Sequence, residues 1–464
     1  MPDAPTVLDF DKGTLILSDA SDALRSAVPD LRWDKRTRHF RAPACRYREI
    51  VLALHHAGLP WEDRARGYAR LTGLSLKTDL RPRPYQAAAM QAWRDSDMRG
   101  VVCLPTGAGK TILAVLLIAE VKRPALIHVP TIDLMHQWHS VLTTHLGGDI
   151  GLLGGGYKEL RDITVTTYDS ALLHATARGN RFGFAIFDEC HHLPGDQYRF
   201  AAISSIAPFR LGLTATPERT DGLESRLDDL VGPICYQADI RELRGSSLAS
   251  YRVETLPMEL SESERSRYES ERGIYLDFLR RERINLGHRN GWNQFLWRSS
   301  QSPEGRRAFQ AYLAQKRLSQ AAEAKLAAVW ELLRRHRGDR LLVFTQDNDM
   351  AYRIGTEFLL PVLTHQTRVK EREAFLDAFR EGRLPVLVTS KVLNEGVDVP
   401  EANVAVVVSG SGSVREHVQR LGRILRPRPG KEAVLYELVT RGTGEHFVNQ
   451  RRRQHRAYQD PDSP

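Results

Sequence analysis

Short apolar runs that alternate with helical patterns occur in two blocks of this chain. The first block, from about residue 80 to 240, contains GVVCLP, ALIHVP, ITVTTY, FAIFDE and RLGLTA. The second block, which starts near residue 336, contains LLVFTQ, PVLVTS, VAVVVSG and AVLYELV. Strands that are buried on both faces of a parallel sheet require such apolar runs. The pattern therefore predicts an α/β protein with two parallel-sheet domains.

Other patterns precede and separate these blocks. The first 78 residues contain the strand-like runs TLILS and RHFRAP and the helix-like stretch RYREIVLALHHAG, which predict a small α+β module. From about 257 to 335 the strand-like runs vanish, and the sequence is Arg-rich and helix-like. The predicted domains are an N-terminal module (1–78), a first α/β domain (79–245), a linker with a helical insertion (246–335), and a second α/β domain with a C-terminal segment (336–464).

Composition excludes several classes of protein. The four cysteines lie far apart without a CxxC pair, so neither a zinc ribbon nor a disulfide scaffold is indicated. No secretion signal and no run of about 18 apolar residues is visible, so we expect no membrane partner. We expect a cytoplasmic protein, associated with the nucleoid if its source is prokaryotic. The formal charge of +9 is compatible with a polyanionic partner such as nucleic acid.

The segment LPTGAGKT (104–111) follows an apolar run and precedes a helical pattern, which is the context of a phosphate-binding loop. Gly107 and Gly109, together with Thr106, allow backbone N–H groups to surround a phosphate at a helix N-terminus. Lys110 is predicted to reach the β- and γ-phosphate oxygens, and the Thr111 hydroxyl to bind Mg²⁺. The loop therefore predicts binding of ATP with Mg²⁺.

A second apolar run ends in IFDECHH (186–192). Asp188 is predicted to hold Mg²⁺, and Glu189 to orient and deprotonate the attacking water. His191 could sense the γ-phosphate, and Cys190 could either fill a packing site or bind a metal with the neighbouring histidines. Further on, LTATP (213–217) supplies small hydroxyl side chains at a third predicted strand end.

Arg423 and Arg426 lie three residues apart in QRLGRILRP (419–427), so a helix would place both on one face. Two such guanidinium groups can stabilise the charge on a transferring phosphate, as arginine fingers do. A surface helix with two arginines is the alternative. The pair is therefore a candidate catalytic element.

Taken in order, these segments resemble the motifs of superfamily 2 helicases over about 360 residues. The matching segments are PRPYQ (82–86), LPTGAGKT, HVPTIDLMHQW (128–138), DECH (188–191), LTATP, LVFTQ, TSKVLNEGVDVP (389–400) and QRLGRILR. The resemblance implies two RecA-like domains that bind ATP between them. It also implies that Arg83 and Gln86 contact the adenine side, that Gly396 and Asp398 belong to a coupling loop, and that Gln419 lies near the nucleotide.

Within that superfamily the chain resembles the XPB/Rad25 repair helicases, in their short archaeal or bacterial form. The leading module resembles the damage-recognition domain of that family, the insertion its thumb, and EHFVNQRRRQHRAY (445–458) its C-terminal segment. The family carries an Arg-Glu-Asp element after LTATP, whereas this chain has Arg219, Thr220 and Asp221. This departure puts strand separation in doubt more than ATP hydrolysis.

The basic charge is concentrated in three stretches. Residues 272–317 carry a net +7, residues 32–48 a net +6 and residues 441–456 a net +4, which leaves −8 for the rest of the chain (9 − 7 − 6 − 4). Cations interleaved with aromatic rings suit contact with unpaired bases, although the same aromatic side chains could instead form the core of a helical hairpin or of the module. The candidate nucleic-acid residues are Trp33, Arg36, Phe40, Thr131, Arg219, Asp221, Arg280, Arg281, Trp292 and Trp297.

These features predict an ATP-dependent DNA helicase or translocase of 3′-to-5′ polarity that acts in nucleotide excision repair, on junctions or damaged DNA. The family resemblance further implies a nuclease as protein partner. One alternative is a damage-binding module that ATP switches and that unwinds little DNA itself. An RNA helicase is a further alternative.

Overall fold

The computed structural model describes residues 6–216, 222–238, 250–390, 402–409 and 432–446, apart from the single residues 19, 21, 29, 59 and 289. The described residues up to 238 form one compact unit, and those from 250 onward form another. Several residues with a predicted function lie outside the described residues: Arg219, Asp221, Gly396, Asp398, Gln419, Arg423 and Arg426.

The chain begins with a small α+β module. Its strands are β1 (Thr6–Asp11), β2 (Thr14–Leu17), β3 (Arg32–Asp34), β4 (His39–Pro43) and β5 (Trp61–Asp63), and its helices are α1 (Asp22–Ala27) and α2 (Tyr47–His56). The sheet order is β3-β4-β2-β1-β5. Lys12 and Gly13 connect β1 to β2 with φ angles of 47° and 83°, a two-residue turn whose left-handed backbone suits a hairpin.

The first unit continues with a larger sheet of eight described strands in the order β13-β6-β12-β11-β7-β10-β8-β9. All neighbours pair in parallel except β8 and β9, as the apolar runs predicted. The strands are β6 (Arg99–Cys103), β7 (Ala125–Val129), β8 (Ile150–Gly154), β9 (Tyr157–Lys158), β10 (Ile163–Thr167), β11 (Phe184–Asp188), β12 (Phe209–Thr214) and β13 (Ile234–Gln237). The helices are α3 (Pro84–Asp95), α4 (Lys110–Val121), α5 (Ile132–Leu146), α6 (Tyr168–Arg178), α7 (Arg199–Ile203) and α8 (Arg226–Leu230).

The segment between module and sheet is fixed to the rest of the first unit by backbone hydrogen bonds. They run from Gly67 N to Asn180 O (3.0 Å), from Leu71 N to Lys122 O (2.9 Å) and from Lys77 N to His145 O (2.7 Å). The module itself contacts the start of the sheet through an ion pair between Glu49 and Arg99 at 3.2 Å. Module and first sheet therefore form one packed body.

The second unit contains a parallel sheet of six described strands in the order β14-β19-β18-β15-β17-β16. These strands are β14 (Ser250–Met258), β15 (Leu341–Phe344), β16 (Val362–Leu363), β17 (Val386–Thr389), β18 (Val404–Val407) and β19 (Glu432–Thr440). The helices are α9 (Glu262–Arg281), α10 (Gly291–Gln301), α11 (Pro303–Gln320), α12 (Glu323–Arg335), α13 (Asn348–Phe358) and α14 (Val369–Arg380). A core of buried side chains from α12 and α13 covers the sheet.

Helices α9, α10 and α11 form a separate helical insertion with its own core around Phe295. The range 246–335, predicted as a linker with a helical insertion, also contains β14, which pairs with β19 in the sheet, and α12, which packs on that sheet. Strand β14 carries no continuous apolar run, since it lies at the edge of the sheet and its described side chains are at most partly buried. The predicted fold class is confirmed: two parallel-sheet α/β units, a helical insertion and a small α+β module. No described helix is both long and apolar enough to cross a membrane.

Candidate active site

The phosphate-loop candidate lies between the end of β6 and the start of α4. Gly107 and Gly109 adopt φ angles of 84° and 78°, in the left-handed region that glycine enters without steric cost. Lys110, the first residue of α4, donates from Nζ to the Leu104 carbonyl at 3.2 Å, so its side chain folds back across the loop. The Thr106 hydroxyl is buried and has no hydrogen-bond partner among the described residues. The loop thus offers free polar groups to an anion.

Helix α3 supports the loop from behind. Tyr85 donates its hydroxyl to Ala108 O at 2.7 Å, and Gln86 Nε2 donates to Gly109 O at 3.0 Å. Gln86 Oε1 in turn accepts from the Arg83 backbone N–H at 2.9 Å. Gln86 is therefore bonded directly to the phosphate loop, while its contact with adenine, like that of the exposed Arg83, stays a prediction.

Asp188 ends β11 and is buried. Its Oδ2 accepts from Trp138 Nε1 at 2.7 Å, and its Oδ1 accepts from the Glu189 backbone N–H at 3.0 Å. The pKa of this carboxyl is raised to about 6, chiefly by burial and then by the charge of Glu189, although Lys110, the indole N–H and the Glu189 backbone N–H act against that rise. A cation near Asp188 would favour its charged form, which is the form that binds a metal ion.

Glu189 has a φ of 47°, a left-handed conformation that is strained for a residue with a side chain. Its Oε2 is buried, accepts no hydrogen bond among the described residues and lies 3.4 Å from His191 Nδ1. His191 Nδ1 lies 3.1 Å from Thr214 Oγ1, which donates to Thr216 O at 2.9 Å. The end of β11 is therefore linked through His191 to the end of β12.

Cys190 is fully buried, and burial raises its thiol pKa well above the usual range. Across the part of the chain that the structure describes, no group of three His, Cys, Asp or Glu side chains is placed to hold a metal ion. These observations favour a packing role for Cys190.

Trp138 was not identified from the sequence. It lies in HVPTIDLMHQW, a segment that was assigned by resemblance, and its hydrogen bond joins two residues 50 positions apart. No local spacing rule connects an indole to a carboxylate at that distance along the chain. Its position in a buried helical stripe was the only available signal.

Of the candidate nucleic-acid residues in the first unit, Thr131 caps α5 and accepts from Leu134 N at 3.2 Å. Trp33 and Phe40 face each other across β3 and β4, with ring centroids 5.0 Å apart. Phe40 belongs to the module core, whereas Trp33 is 51% exposed and so is not a core residue. Arg36 is bonded to Asp34, and this bond lowers the pKa of that carboxyl to about 2.

The insertion separates its aromatic side chains into two groups. Phe295 is fully buried in its core, and Trp292 packs against Phe295 with ring centroids 5.4 Å apart while staying partly exposed. Trp297 is 59% exposed, and the Arg298 guanidinium lies 5.2 Å from its ring centroid. Arg280 forms an exposed ion pair with Asp277 at 3.2 Å, and Arg281 is exposed on the same helix.

Three family models match this chain. Residues 8–65 match the xeroderma pigmentosum group B helicase damage recognition domain, residues 79–219 match the type III restriction enzyme res subunit, and residues 308–460 match the ERCC3/RAD25/XPB C-terminal helicase. The leading module and the second α/β unit thus each match a model of the same helicase family.

Two relatives and one solved structure extend this result. The chain is 39% identical to DNA 3′-5′ translocase XPB2 of Sulfurisphaera tokodaii over 447 residues, which is 96% of this chain and 99% of that protein. It is 34% identical to DNA 3′-5′ helicase XPB of Mycobacterium tuberculosis over 77% of this chain and 60% of that protein. The helicase domain of Pyrococcus furiosus Hef shares the fold, with a TM-score of 0.53 and 19% identity over 81% of this chain and 99% of that chain. The predicted resemblance is confirmed, and this chain belongs to the XPB/Rad25 family of superfamily 2 helicases.

Proposed function

We propose that the protein is an ATP-dependent DNA helicase or translocase of 3′-to-5′ polarity that acts in DNA repair. The observation that carries the proposal is the pairing of a phosphate loop (104–111) with two buried or half-buried carboxylates at the end of β11, in a chain of the XPB/Rad25 family. Relatives named as 3′-5′ DNA translocases and helicases support the substrate and the polarity.

The described residues fit ATP with Mg²⁺. The backbone of residues 106–111 would surround the phosphates, and Lys110 would move from Leu104 O to a phosphate oxygen. Thr111 and Asp188 would hold Mg²⁺, which when bound neutralises charge on the phosphate oxygens. Glu189 would accept a proton from the attacking water at its Oε2, which accepts no hydrogen bond from the described residues and lies 3.4 Å from His191 Nδ1.

The remaining residues of the proposed site are assigned from the motifs of the family. Arg423 and Arg426 would stabilise charge on the transferring phosphate, and Gln419 would lie near the nucleotide. Gly396 and Asp398 would belong to the coupling loop that links nucleotide state to movement along DNA. Arg83 and Gln86 would contact the adenine side of the nucleotide.

The proposed DNA contacts are the basic and aromatic side chains of the module and of the insertion, together with Thr131 at the start of α5. Exposed Trp297 and Trp33 have rings available for stacking on unpaired bases, and Arg281 has a cation for the phosphate backbone. Arg219 and Asp221 belong to the element proposed to act in strand separation. We further propose a nuclease as protein partner and a location in the cytoplasm or nucleoid.

The test is DNA-stimulated ATP hydrolysis by Lys110→Ala and Glu189→Gln, with Lys122→Ala and Glu120→Gln as controls in or next to the same helix, α4. Loss of a phosphate ligand or of the general base should lower turnover at least 100-fold. The control residues lie at the far end of α4 and should keep wild-type turnover. Unchanged hydrolysis in both site variants would refute the assignment.

A second function is favoured by one sequence feature, the replacement of the middle carboxylate of the family element by Thr220. In this alternative, ATP would switch the grip on damaged DNA, and little strand separation would follow. Strand displacement on forked DNA, measured beside ATP hydrolysis, separates the two functions, and Thr220→Glu should restore displacement only if the carboxylate matters. Comparison of single-stranded DNA with RNA of equal length tests the RNA-helicase alternative.

A further inference from the structure

A buried indole holds the carboxylate at the end of β11. Trp138 is fully buried, and its Nε1–H donates to Asp188 Oδ2 at 2.7 Å. The other carboxylate oxygen, Oδ1, accepts from the backbone N–H of Glu189 at 3.0 Å. Each oxygen of Asp188 therefore has one fixed donor. One donor belongs to the next residue, and the other belongs to a helix 50 residues earlier in the chain.

Packing fixes the position of the indole. Met135, Trp138 and Leu142 are all fully buried and follow each other at helical spacing in α5, so they form the stripe that faces the sheet. Thr131 caps the start of this helix. A buried indole N–H requires an acceptor, and here that acceptor is the Asp188 carboxylate. The packing of α5 thus fixes the direction in which the Trp138 N–H points.

We propose that Trp138 is a positioning residue for the metal–nucleotide site: it holds the Asp188 carboxylate in the orientation that leaves its remaining lone pairs for Mg²⁺. The inference rests on the proposed ATP-hydrolysing function. Outer partners of metal ligands commonly act in this way, by fixing the ligand before the metal arrives. Hydrogen bonds to a charged acceptor are also the stronger ones, so this bond can compete with rotation of the carboxylate.

Trp93 provides a matched control for a purely structural role. It is also fully buried in the first unit, and its Nε1–H donates to a neutral acceptor, Arg210 O, at 2.9 Å. Trp93→Phe and Trp138→Phe therefore remove the same indole N–H group and the same side-chain volume from two equally buried sites. Only the second change frees an oxygen of Asp188.

The test uses the full chain and the binding of mant-ADP, whose fluorescence is excited directly while Mg²⁺ is titrated. Trp138→Phe should raise the Mg²⁺ concentration at half-maximal binding about 10-fold or more, with unchanged binding of mant-ADP in EDTA. Trp93→Phe should stay within about twofold of the wild type, although both variants melt earlier. Should Trp138→Phe not fold, β-(3-benzothienyl)alanine at position 138 keeps the shape of the indole and lacks the N–H, and the same shift is expected.

Two results would overturn the inference. One is a wild-type Mg²⁺ midpoint in Trp138→Phe or in the benzothienyl protein, and the other is an equal shift in Trp93→Phe. These results leave the proposed function intact, because wild-type binding still depends on Mg²⁺. A wild-type chain that binds mant-ADP without any dependence on Mg²⁺ would instead contradict the metal site of the proposed function, and the inference with it.

Discussion

A buried ion pair in the second unit allows a prediction whose size follows from its geometry. Lys325 in α12 is fully buried, and its Nζ donates to both carboxylate oxygens of Glu445, at 2.9 and 2.7 Å, and to Val408 O at 2.8 Å. Glu445 Oε2 also accepts from the Thr440 backbone N–H at 3.0 Å. The pair thus ties α12 to the ends of β18 and β19.

The perturbation is Lys325→Met, which keeps the length of the side chain and removes its charge. The variant leaves the Glu445 carboxylate buried without a counterion, and breaking one side of a buried pair costs about 3–5 kcal/mol of stability. Typical domains are stable by about 5–15 kcal/mol, so this loss is a large share of the total. Glu445→Gln should also be destabilising, because it leaves the fully buried Lys325 ammonium without a counterion.

The assay must report on the second unit alone, since a chain with two compact units need not unfold in one step. Hydrogen exchange followed by mass spectrometry gives the opening free energy of peptides from α12 and β19. The double variant Lys325→Met/Glu445→Gln removes both charges, so its loss should be smaller than the sum of the two single losses by about 2 kcal/mol or more.

An exposed pair in the same unit is the control. Arg307 bonds Glu271 at 2.7 and 2.9 Å, but the Arg307 side chain is 44% exposed. Exposed pairs contribute about 0–1 kcal/mol and weaken in salt, so Arg307→Met should cost little and less still in high salt. A loss below about 1 kcal/mol for Lys325→Met, or additive losses in the double variant, would refute the reasoning.

The remaining predictions concern a buried histidine and the insertion. Burial lowers the pKa of His128 from 6.5 to about 4. As the pH falls, the unfolded chain therefore takes up a proton at this histidine before the folded chain does. The contribution of neutral His128 to the unfolding free energy is fully present above pH 6.5, and about 3 kcal/mol should be lost as the pH drops to about 4. His128→Phe, which can still stack on Phe187, should flatten this slope in melts from pH 4.5 to 7.5, and an unchanged slope would show that other groups cause it. In the insertion, Phe295→Ala should cost about 3–5 kcal/mol in hydrogen exchange, whereas Trp297→Ala should leave exchange unchanged and weaken binding of single-stranded DNA. Equal DNA affinity in wild type and Trp297→Ala would contradict the stacking proposal.

In the two parallel sheets, the strands that could be predicted from the sequence are those that are buried along most of their length. β11 and β12 lie inside the first sheet, and their runs FAIFDE and RLGLTA are apolar on both faces. β14 belongs to the second sheet as firmly, with nine paired residues against β19, but it lies at an edge and mixes polar with apolar side chains. Its sequence therefore gives only a weak strand signal, and the prediction included it in the stretch of linker and insertion (246–335).

In the candidate site, too, residues within one short segment could be predicted from the sequence, whereas partners far apart along the chain could not. The candidate phosphate loop is a continuous segment, because one strand end, two glycines with left-handed backbone and one helix start together form it. Asp188 was found for a similar reason, since it directly follows an apolar strand. The partners that orient such residues come from anywhere in the chain: Trp138 is 50 residues from Asp188, and Lys325 is 120 residues from Glu445.

This division has a physical origin. Groups that bind a substrate must present free donors and acceptors, so they collect in loops at the carboxyl ends of strands, where short motifs can describe them. Groups that orient those residues must be buried to be rigid, and a buried polar atom needs only one partner at the right distance, whatever its sequence position. Sequence motifs consequently identify the residues proposed to contact the nucleotide, whereas a residue that orients one of them, Trp138, becomes visible only when the packing of α5 against the end of β11 is known. The Mg²⁺ dependence of mant-ADP binding by Trp138→Phe measures how strongly the proposed metal site depends on the hydrogen bond that orients the Asp188 carboxylate.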